Sequence, residues 1–156
     1  MGDCRIRKFP YVWCFLGLFL TVSFSGCGTL LGNIDIQNIS ITATPGANHD
    51  TPVALDIVAV GDENMVQVLV GLDANGWFLQ KEKFQHQSGI SVKSFEVVPG
   101  QTIPDGVEFS WRERRKYEAV FVFAKMQSPG LHNLRMDTFT DPVIVIGNNS
   151  IRATEK

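Results

Sequence analysis

Cys27 has the most distinctive chemical setting of any residue in this sequence. It follows an uncharged stretch of aromatic and aliphatic residues, and the small residues Ser25 and Gly26 directly precede it. A thiol in this position can be packed in a core, joined in a disulfide, or modified so that it attaches the chain to a membrane. The other cysteines, Cys4 and Cys14, both come earlier in the chain. The choice therefore depends on what the first 26 residues are.

The first residues have the pattern of an export signal. Arg5, Arg7 and Lys8 form a basic start. Tyr11–Phe24 is then an apolar run of 14 residues, whereas a helix that crosses a bilayer needs about 20. A buried core helix is the alternative, but it fits poorly because the run is apolar on all faces and follows a basic N terminus. We therefore predict a signal peptide over residues 1–26, whose removal eliminates both upstream cysteines.

The residues around the end of this segment resemble the lipobox of bacterial lipoproteins. The match is carried by Ser25-Gly26-Cys27 after the apolar run, although Phe24 stands where leucine is usual. The resemblance implies cleavage before Cys27, diacylglycerol on its thiol and an acyl chain on its new amino group. Because Gly28 rather than aspartate follows, it also implies the periplasmic face of the outer membrane. The alternative is an ordinary secreted protein with one unpaired cysteine.

The remaining polar residues show no catalytic or metal-binding pattern. His49, His86 and His132 are far apart in sequence and form no His-x-x-x-His pair. No nucleophile elbow or phosphate-binding loop occurs, and Asp62-Glu63 suits a helix start better than a calcium loop. We therefore expect no enzyme activity, no cofactor and no metal, with an uncharacterised periplasmic hydrolase as the enzymatic alternative.

The charge distribution excludes broad nucleic-acid binding. Residues 27–156 carry 11 Lys+Arg against 15 Asp+Glu, so the body of the chain is mildly acidic. One basic stretch, Arg112–Lys116, could contact an acidic partner or phospholipid headgroups. The reading that we favour is a solvated hairpin in which Glu108, Glu113 and Glu118 balance those charges.

Alternating apolar residues in the body predict several short strands and few helices. The Asp62–Gln87 segment, with apolar residues at helical spacing, is expected to form two short helices or one broken helix, with Trp77 and Phe78 in the core rather than as binding anchors. This pattern predicts an antiparallel β-sandwich over residues 34–156, after an acylated tether over residues 27–33. The predicted strands lie in Ile34–Ala43 (with a shift of phase and a bulge at Gln37–Asn38), Pro52–Gly61, Ile90–Val98, Gly106–Trp111, Tyr117–Met126, Leu131–Phe139 and Asp141–Asn148.

The order of these features resembles the outer-membrane lipoproteins of type VI secretion (TssJ-type). After the lipobox cysteine come "PVALDIVAV", a helical stretch with "LVGLDANGWF", then "FEVVPGQ" and the apolar "AVFVFAKM". The resemblance implies a transthyretin-like sandwich without enzyme activity. It also implies anchoring of a trans-envelope complex by binding the periplasmic domain of an inner-membrane partner, largely through a loop between early strands.

Two segments are candidates for that partner-binding loop: the turn Pro45–Asp50 and the region after "PVALDIVAVG". The resemblance assigns no individual contact residues here, and the helical Asp62–Gln87 segment departs from the family pattern. The functional alternatives are another envelope-assembly lipoprotein, associated with a pilus or a transporter, and a periplasmic enzyme.

Overall fold

Two four-stranded sheets form the body of the molecule. The computed structural model describes residues 34–156, apart from the side chain of Trp111. The first sheet has the spatial order β4 (Thr102–Glu108), β1 (Asn38–Ala43), β7 (Pro142–Ile146) and β8 (Ile151–Glu155). The second sheet has the order β3 (Ile90–Val97), β2 (Val53–Val60), β5 (Ala119–Lys125) and β6 (Asn133–Arg135). The predicted antiparallel β-sandwich is confirmed, although β1 and β7 run parallel to each other.

The helical insertion predicted for Asp62–Gln87 consists of two separate helices between β2 and β3. Helix α1 spans Glu63–Val70 and helix α2 spans Ala74–Gln85. Asp62 and Asp73 immediately precede them, and each carboxylate accepts a hydrogen bond from a backbone N–H of the first turn. Because these caps satisfy N–H groups that the helix itself leaves unpaired, they fix where each helix begins.

The second sheet is covered on both faces, so its central strands are apolar on both sides. In β5, Val120 and Val122 belong to the core between the two sheets, whereas Phe121 and Phe123 pack with the helices. Alternate residues of a strand point to opposite faces, which produces this division. Trp77 of α2 stacks on Phe123, with ring centroids 5.0 Å apart. The fold therefore has three layers: a sheet, a second sheet and a pair of helices.

The strand directions give the sandwich two distinct ends. At the end where β1 begins, the N–H of Ile34 donates to the carbonyl of Arg114 at 3.2 Å, and we call this the Ile34 end. At the other end lie the connections between β1 and β2, β3 and β4, β5 and β6, and β7 and β8, and we call this the loop end. The six residues of β1 separate the two ends by about 20 Å.

The edges of the sheets differ from the sequence-based expectation. The C-terminal strand β8 was not predicted, and β6 has three residues where a longer strand was expected in Leu131–Phe139. The strand predicted for Gly106–Trp111 begins earlier, at Thr102, and Trp111 starts the short helix α3 (Trp111–Arg114). The charged connection after Ser110 is thus partly helical.

The predicted bulge lies a few residues from its expected place. Gln37–Asn38 is where β1 begins, and the irregular pairing falls between Ile39 and Ile41 instead. There the partner strand β4 contains Asp105 with a positive φ of 48°, and the Ser40 hydroxyl accepts the Asp105 N–H at 3.2 Å. A bulge in an edge strand is a common way to bend the strand and to prevent its free edge from pairing with another chain.

Gly61 lies where two segments of backbone approach each other closely at the Ile34 end. A Cβ atom at this position would collide with the carbonyl oxygen of Lys116. We predict that Gly61→Ala lowers the free energy of unfolding by about 1–3 kcal/mol, because the backbone must shift to make room. Urea denaturation measures the change.

Gly71→Ala is the matched control for that prediction. Gly71 has right-handed backbone angles, and an added Cβ would make only an ordinary contact at 3.5 Å, with the carbonyl oxygen of Val68. This substitution should leave stability unchanged or raise it by about 0.4–1 kcal/mol. Equal effects of the two alanine substitutions would contradict the close approach at Gly61.

Candidate functional site

Four connections meet at the loop end, and hydrogen bonds tie them together. These loops therefore form one continuous surface held by the sandwich, which is the arrangement by which a rigid scaffold presents a binding site. The bonds between connections are Gly100 N to Thr44 O (3.3 Å), Asn48 N to Gly147 O (3.1 Å), Gln127 N to Asn48 Oδ1 (2.7 Å), His49 N to Asn148 Oδ1 (2.9 Å) and Ser128 Oγ to Asn149 O (3.1 Å).

Asn48 organises this surface from inside. Its side chain is 1% exposed, and its Nδ2 donates to the carbonyl of Thr51 at 3.3 Å while its Oδ1 accepts from Gln127. Asn48, His49 and Asp50 have positive φ angles of 48°, 54° and 58°. Left-handed backbone costs a non-glycine residue on the order of 1–3 kcal/mol, and it persists where surrounding bonds enforce it, often at binding sites.

The outer part of the loop end combines polar and apolar side chains. His49 and Asp50 are exposed. Leu131, in the connection between β5 and β6, is 68% exposed, and Val98, in the connection between β3 and β4, is 46% exposed. Exposed aliphatic side chains among fixed polar groups suit contact with another protein. The turn Pro45–Asp50, one of the two candidate segments from sequence, belongs to this surface.

The three histidines, which form no metal-binding pair in the sequence, lie in three different parts of the fold. His49 lies in the turn at the loop end, and His86 ends α2. His132 precedes β6 rather than lying in a strand, and its Nε2 is 2.8 Å from the carbonyl oxygen of Ser128. Within residues 34–156, no group of three or more His, Cys, Asp or Glu side chains could hold a metal ion.

The region after β2, the other candidate segment, carries an open cleft of about 510 Å³ beside α1. Asp62, Asn64, Gln87 and Ser88 supply its polar lining. The Asp62 carboxylate is already used as the α1 cap, since Oδ1 accepts the Met65 N–H at 3.0 Å. One of the polar groups that line the cleft is therefore already engaged in a helix cap.

A buried polar cluster attaches α2 to the second sheet. Asp56 of β2 is 1% exposed, and its Oδ2 accepts the indole N–H of Trp77 at 2.8 Å. Lys81 lies 2.9 Å from the same oxygen, and its ammonium also donates to the Ser94 hydroxyl at 2.8 Å. Trp77 is thus a core residue, as expected. Its neighbour Phe78 is only partly buried.

The sequence did not single out two positions that the structure makes notable, the exposed Leu79 and the buried Asn48. Leu79 on α2 is 87% exposed, and α1 adds the exposed Val68 and Val70. For Leu79 no periodicity signal was available, because α2 is only weakly amphipathic. For Asn48 the available signal was its residue type, since asparagine tolerates left-handed backbone better than most residues do.

The basic stretch Arg112–Lys116 lies at the Ile34 end, and helix α3 includes its first residues. Ser110 caps this helix: its hydroxyl accepts the Glu113 N–H, and the Glu113 carboxylate accepts the Ser110 N–H at 2.9 Å. The expected solvated hairpin is therefore a capped turn of helix followed by β5. The Arg112 side chain is exposed and that of Arg114 is partly buried.

The Ser110 cap gives a prediction on protonation. Hydrogen bonds from the Ser110 hydroxyl, and then from its backbone N–H, hold the pKa of Glu113 below its ordinary value. Because the pKa of Glu113 is lowered in the folded protein, the cap stabilises the fold fully at pH values above the ordinary glutamate pKa. This stabilisation is lost as the pH falls through the pKa that Glu113 has in the folded protein. Ser110→Ala should raise the Glu113 pKa towards normal, as measured by NMR titration of its carboxyl carbon. Ser88→Ala, outside the cap, should leave that pKa unchanged.

Cys27, the one predicted lipidation site, lies outside the described residues, as do the predicted signal peptide 1–26 and tether 27–33. The first described residue, Ile34, is fixed beside α3 by its hydrogen bond to the carbonyl of Arg114. Within residues 34–156, none of the helices is long and apolar enough to span a membrane.

Comparison with known proteins gives matches among solved structures. No family model and no curated protein sequence matches this chain. The type VI secretion lipoprotein TssJ1 from Pseudomonas aeruginosa is 15% identical with a TM-score of 0.57, over 76% of this chain and 93% of that one. Lip from Serratia marcescens, a membrane bound component of the type VI secretion system, is 12% identical with a TM-score of 0.55, over 79% and 98%.

A third match is a chain in a structure described as a type VI membrane complex. It is 16% identical with a TM-score of 0.57, and the alignment covers 78% of this chain and 99% of that one. In all three cases nearly the whole of the known chain is matched, so the likeness extends over the complete sandwich. Residues 34–156 therefore have the fold of the TssJ-type lipoproteins of type VI secretion, as the resemblance in sequence implied.

Proposed function

We propose that this chain is a lipoprotein held at the periplasmic face of the outer membrane through acyl chains on Cys27. It binds the periplasmic domain of an inner-membrane component and so anchors a type VI secretion membrane complex. The support is the shared fold with lipoproteins of that system, together with a signal segment and lipobox ahead of the domain.

One observation carries the proposal: the domain begins at one end and its loop surface lies at the other. Ile34, seven residues after Cys27, is bonded to α3, whereas the Asn48 turn lies beyond the far end of β1. A membrane anchor at Cys27 would thus be joined to the domain at the end opposite to the loop end. That arrangement leaves the loop end free to bind a partner in the periplasm.

The anchor would act by concentrating the loop end at a surface. A tethered site meets a partner at a high effective concentration, which strengthens binding without any new contact. A modest interface at the loop end would therefore be enough to hold a large complex at the outer membrane. No catalytic step is needed for this role, and the loop end offers fixed backbone and exposed aliphatic groups for such an interface.

Site-specific photocrosslinking in living cells tests the proposal. A photoreactive amino acid is placed at three exposed positions: Asp50 at the loop end, Glu63 on α1 and Glu118 at the Ile34 end. Asp50 should crosslink to a large protein of the inner membrane, which mass spectrometry then identifies. Glu118 is the matched control on the opposite end and should give no crosslink to that protein.

The other outcomes each have a defined meaning. If Glu63 rather than Asp50 captures the inner-membrane protein, the region after β2 is the binding site and our choice of the loop end is wrong. A pilus or transporter protein captured at Asp50 would replace type VI secretion with another envelope assembly. Equal capture from all three positions would refute an interface confined to one end.

A further inference from the structure

We propose that the exposed cations of the basic stretch Arg112–Lys116 bind the headgroups of anionic phospholipids in the membrane that carries the anchor. This contact would set the orientation of the domain on the membrane, whereas the acyl chains would only keep the domain attached. The inference deepens the proposed function and rests on its lipid anchor at Cys27.

The position of the stretch is the first argument. The hydrogen bond from Ile34 N to Arg114 O, 3.2 Å long, fixes the start of the domain against α3. Cys27 is seven residues earlier, and a fully extended chain of that length spans at most about 25 Å. Wherever Cys27 enters the bilayer, the basic stretch is therefore kept within that distance of the lipid surface.

The charge of the stretch is the second argument. It contains four basic residues and one acidic residue, Glu113. The Glu113 carboxylate is turned back into the α3 cap, where it accepts bonds from the Ser110 N–H at 2.9 Å and the Ser110 hydroxyl at 2.7 Å. Arg112 and Lys116 are exposed, so their charged groups are accessible to a surface.

Lys93 on β3 adds a further exposed cation near this helix, since Lys93 and Glu113 line the same small pocket. Glu108 and Glu118 flank the stretch and are also exposed. Their negative charges weaken the electrostatic attraction between the basic stretch and a distant anionic surface. Binding therefore requires direct contact between the cations and the headgroups. Residues 27–156 carry a net negative charge, so an anionic surface would repel the domain as a whole.

Lipid fits this position better than an acidic protein does. The tether holds the stretch near the bilayer at all times, so headgroups are present there at high concentration without any recruitment step. A basic segment next to a membrane anchor is a common way of recognising anionic lipid. An acidic protein partner remains as an outcome of the test below.

Lysine labelling of the native acylated protein in vesicles tests the inference. The protein is reconstituted into neutral phosphatidylcholine vesicles, and into vesicles that also contain phosphatidylglycerol. A water-soluble amine reagent labels exposed lysines, and mass spectrometry gives the rate at each site. Lys116 should label about five-fold more slowly in the anionic vesicles, as expected for a cation held at the surface. Lys125, at the loop end, is the internal reference and should not change.

Two further measurements identify the cause. High salt should abolish the protection of Lys116, because it screens charges at a surface. Arg112→Gln should lower the affinity of the stretch for the anionic surface about five-fold and so reduce the protection of Lys116, since one surface cation is lost. Lys125→Gln makes the same charge change at the other end of β5 and should have no effect on Lys116 labelling.

The results separate this inference from the lipid anchor itself. If the protein does not float with neutral vesicles, the anchor is wrong and the inference fails with it. If it floats but Lys116 labels equally in both kinds of vesicle, the anchor stands and headgroup binding is refuted. Protection that occurs only in intact envelopes, and never in pure lipid, would assign the stretch to an acidic protein partner instead.

Discussion

Cys27→Ser should abolish membrane attachment while leaving export and folding intact. In wild-type cells nearly all of the protein should pellet with the outer membrane, whereas nearly all of the Cys27→Ser form should be in the soluble fraction. The reason is that each buried methylene of an acyl chain contributes about 0.8 kcal/mol, so loss of the modified thiol removes almost all membrane affinity. Under the proposed function, secretion activity should be lost as well, because the complex would no longer be anchored at the outer membrane.

Cys14→Ser provides the matched control, since Cys14 lies in the apolar run of the predicted signal peptide. It should leave fractionation and secretion unchanged. Mass spectrometry of the wild-type protein should find an N-terminal acylated Cys27. A mature N terminus elsewhere, or a free thiol at Cys27, would show instead an ordinary secreted protein with an unpaired cysteine.

The same substitution separates anchoring from binding. The Cys27→Ser domain keeps the loop end, so the isolated interaction with its partner should survive in solution and crosslinking from Asp50 should persist at high concentration. Loss of that interaction in the unanchored protein would mean that the tether region itself contacts the partner. The expected result is a strong effect on localisation together with a small effect on intrinsic affinity.

The centre of the fold was predictable because its apolar pattern has only one good solution. The β5 sequence is apolar on both faces, which requires a cover on each side, and the Asp62–Gln87 segment supplies the second cover. The caps Asp62 and Asp73 mark the helix starts by residue type alone. Such local signals agree with the tertiary arrangement, as expected for a sequence with little frustration.

The edges were predicted less well because edge strands need little apolar surface. Strand β8 pairs only with β7 and has only Ile151 and Ala153 as apolar residues, both partly buried. In β4, Pro104 and Gly106 read as breaks in a strand, yet an edge strand tolerates proline and a bulge. Pairing with β1 overrides these weak local preferences.

The candidate site was predictable only as a segment. The sequence pointed to the turn Pro45–Asp50, but its composition suggested an ordinary turn rather than three successive left-handed residues. Those angles depend on bonds from Asn48 to Gln127, which lies 79 positions away. The sequence contains no sign of that pairing. The lipidation of Cys27, by contrast, was argued from sequence and stays a prediction.

Asp56→Ala should be the most destabilising single substitution that we propose in the domain. Removing the carboxylate leaves the buried indole N–H of Trp77 without its acceptor, and it leaves Lys81 without its counter-ion. Breaking a buried ion pair from one side costs about 3–5 kcal/mol. Because Lys81 is partly exposed and can turn towards water, we expect a loss near the lower limit, about 3 kcal/mol. Chemical denaturation followed by circular dichroism measures this change.

Two further substitutions show which part of the cluster carries the stability. Asp56→Asn keeps an oxygen for the Trp77 N–H but cannot balance the Lys81 charge. Its loss of stability should therefore be smaller than that of Asp56→Ala and larger than that of Ser94→Ala. Ser94→Ala removes only the hydroxyl that accepts from Lys81 and should cost about 0.5–1.5 kcal/mol. A loss for Asp56→Ala as small as that for Ser94→Ala would mean that aromatic packing, and not the buried charge pair, holds α2 on the sheet. Since Asp56 and Ser94 lie within strands and not in the connections of the loop end, these variants should weaken the domain without changing the partner that Asp50 crosslinks.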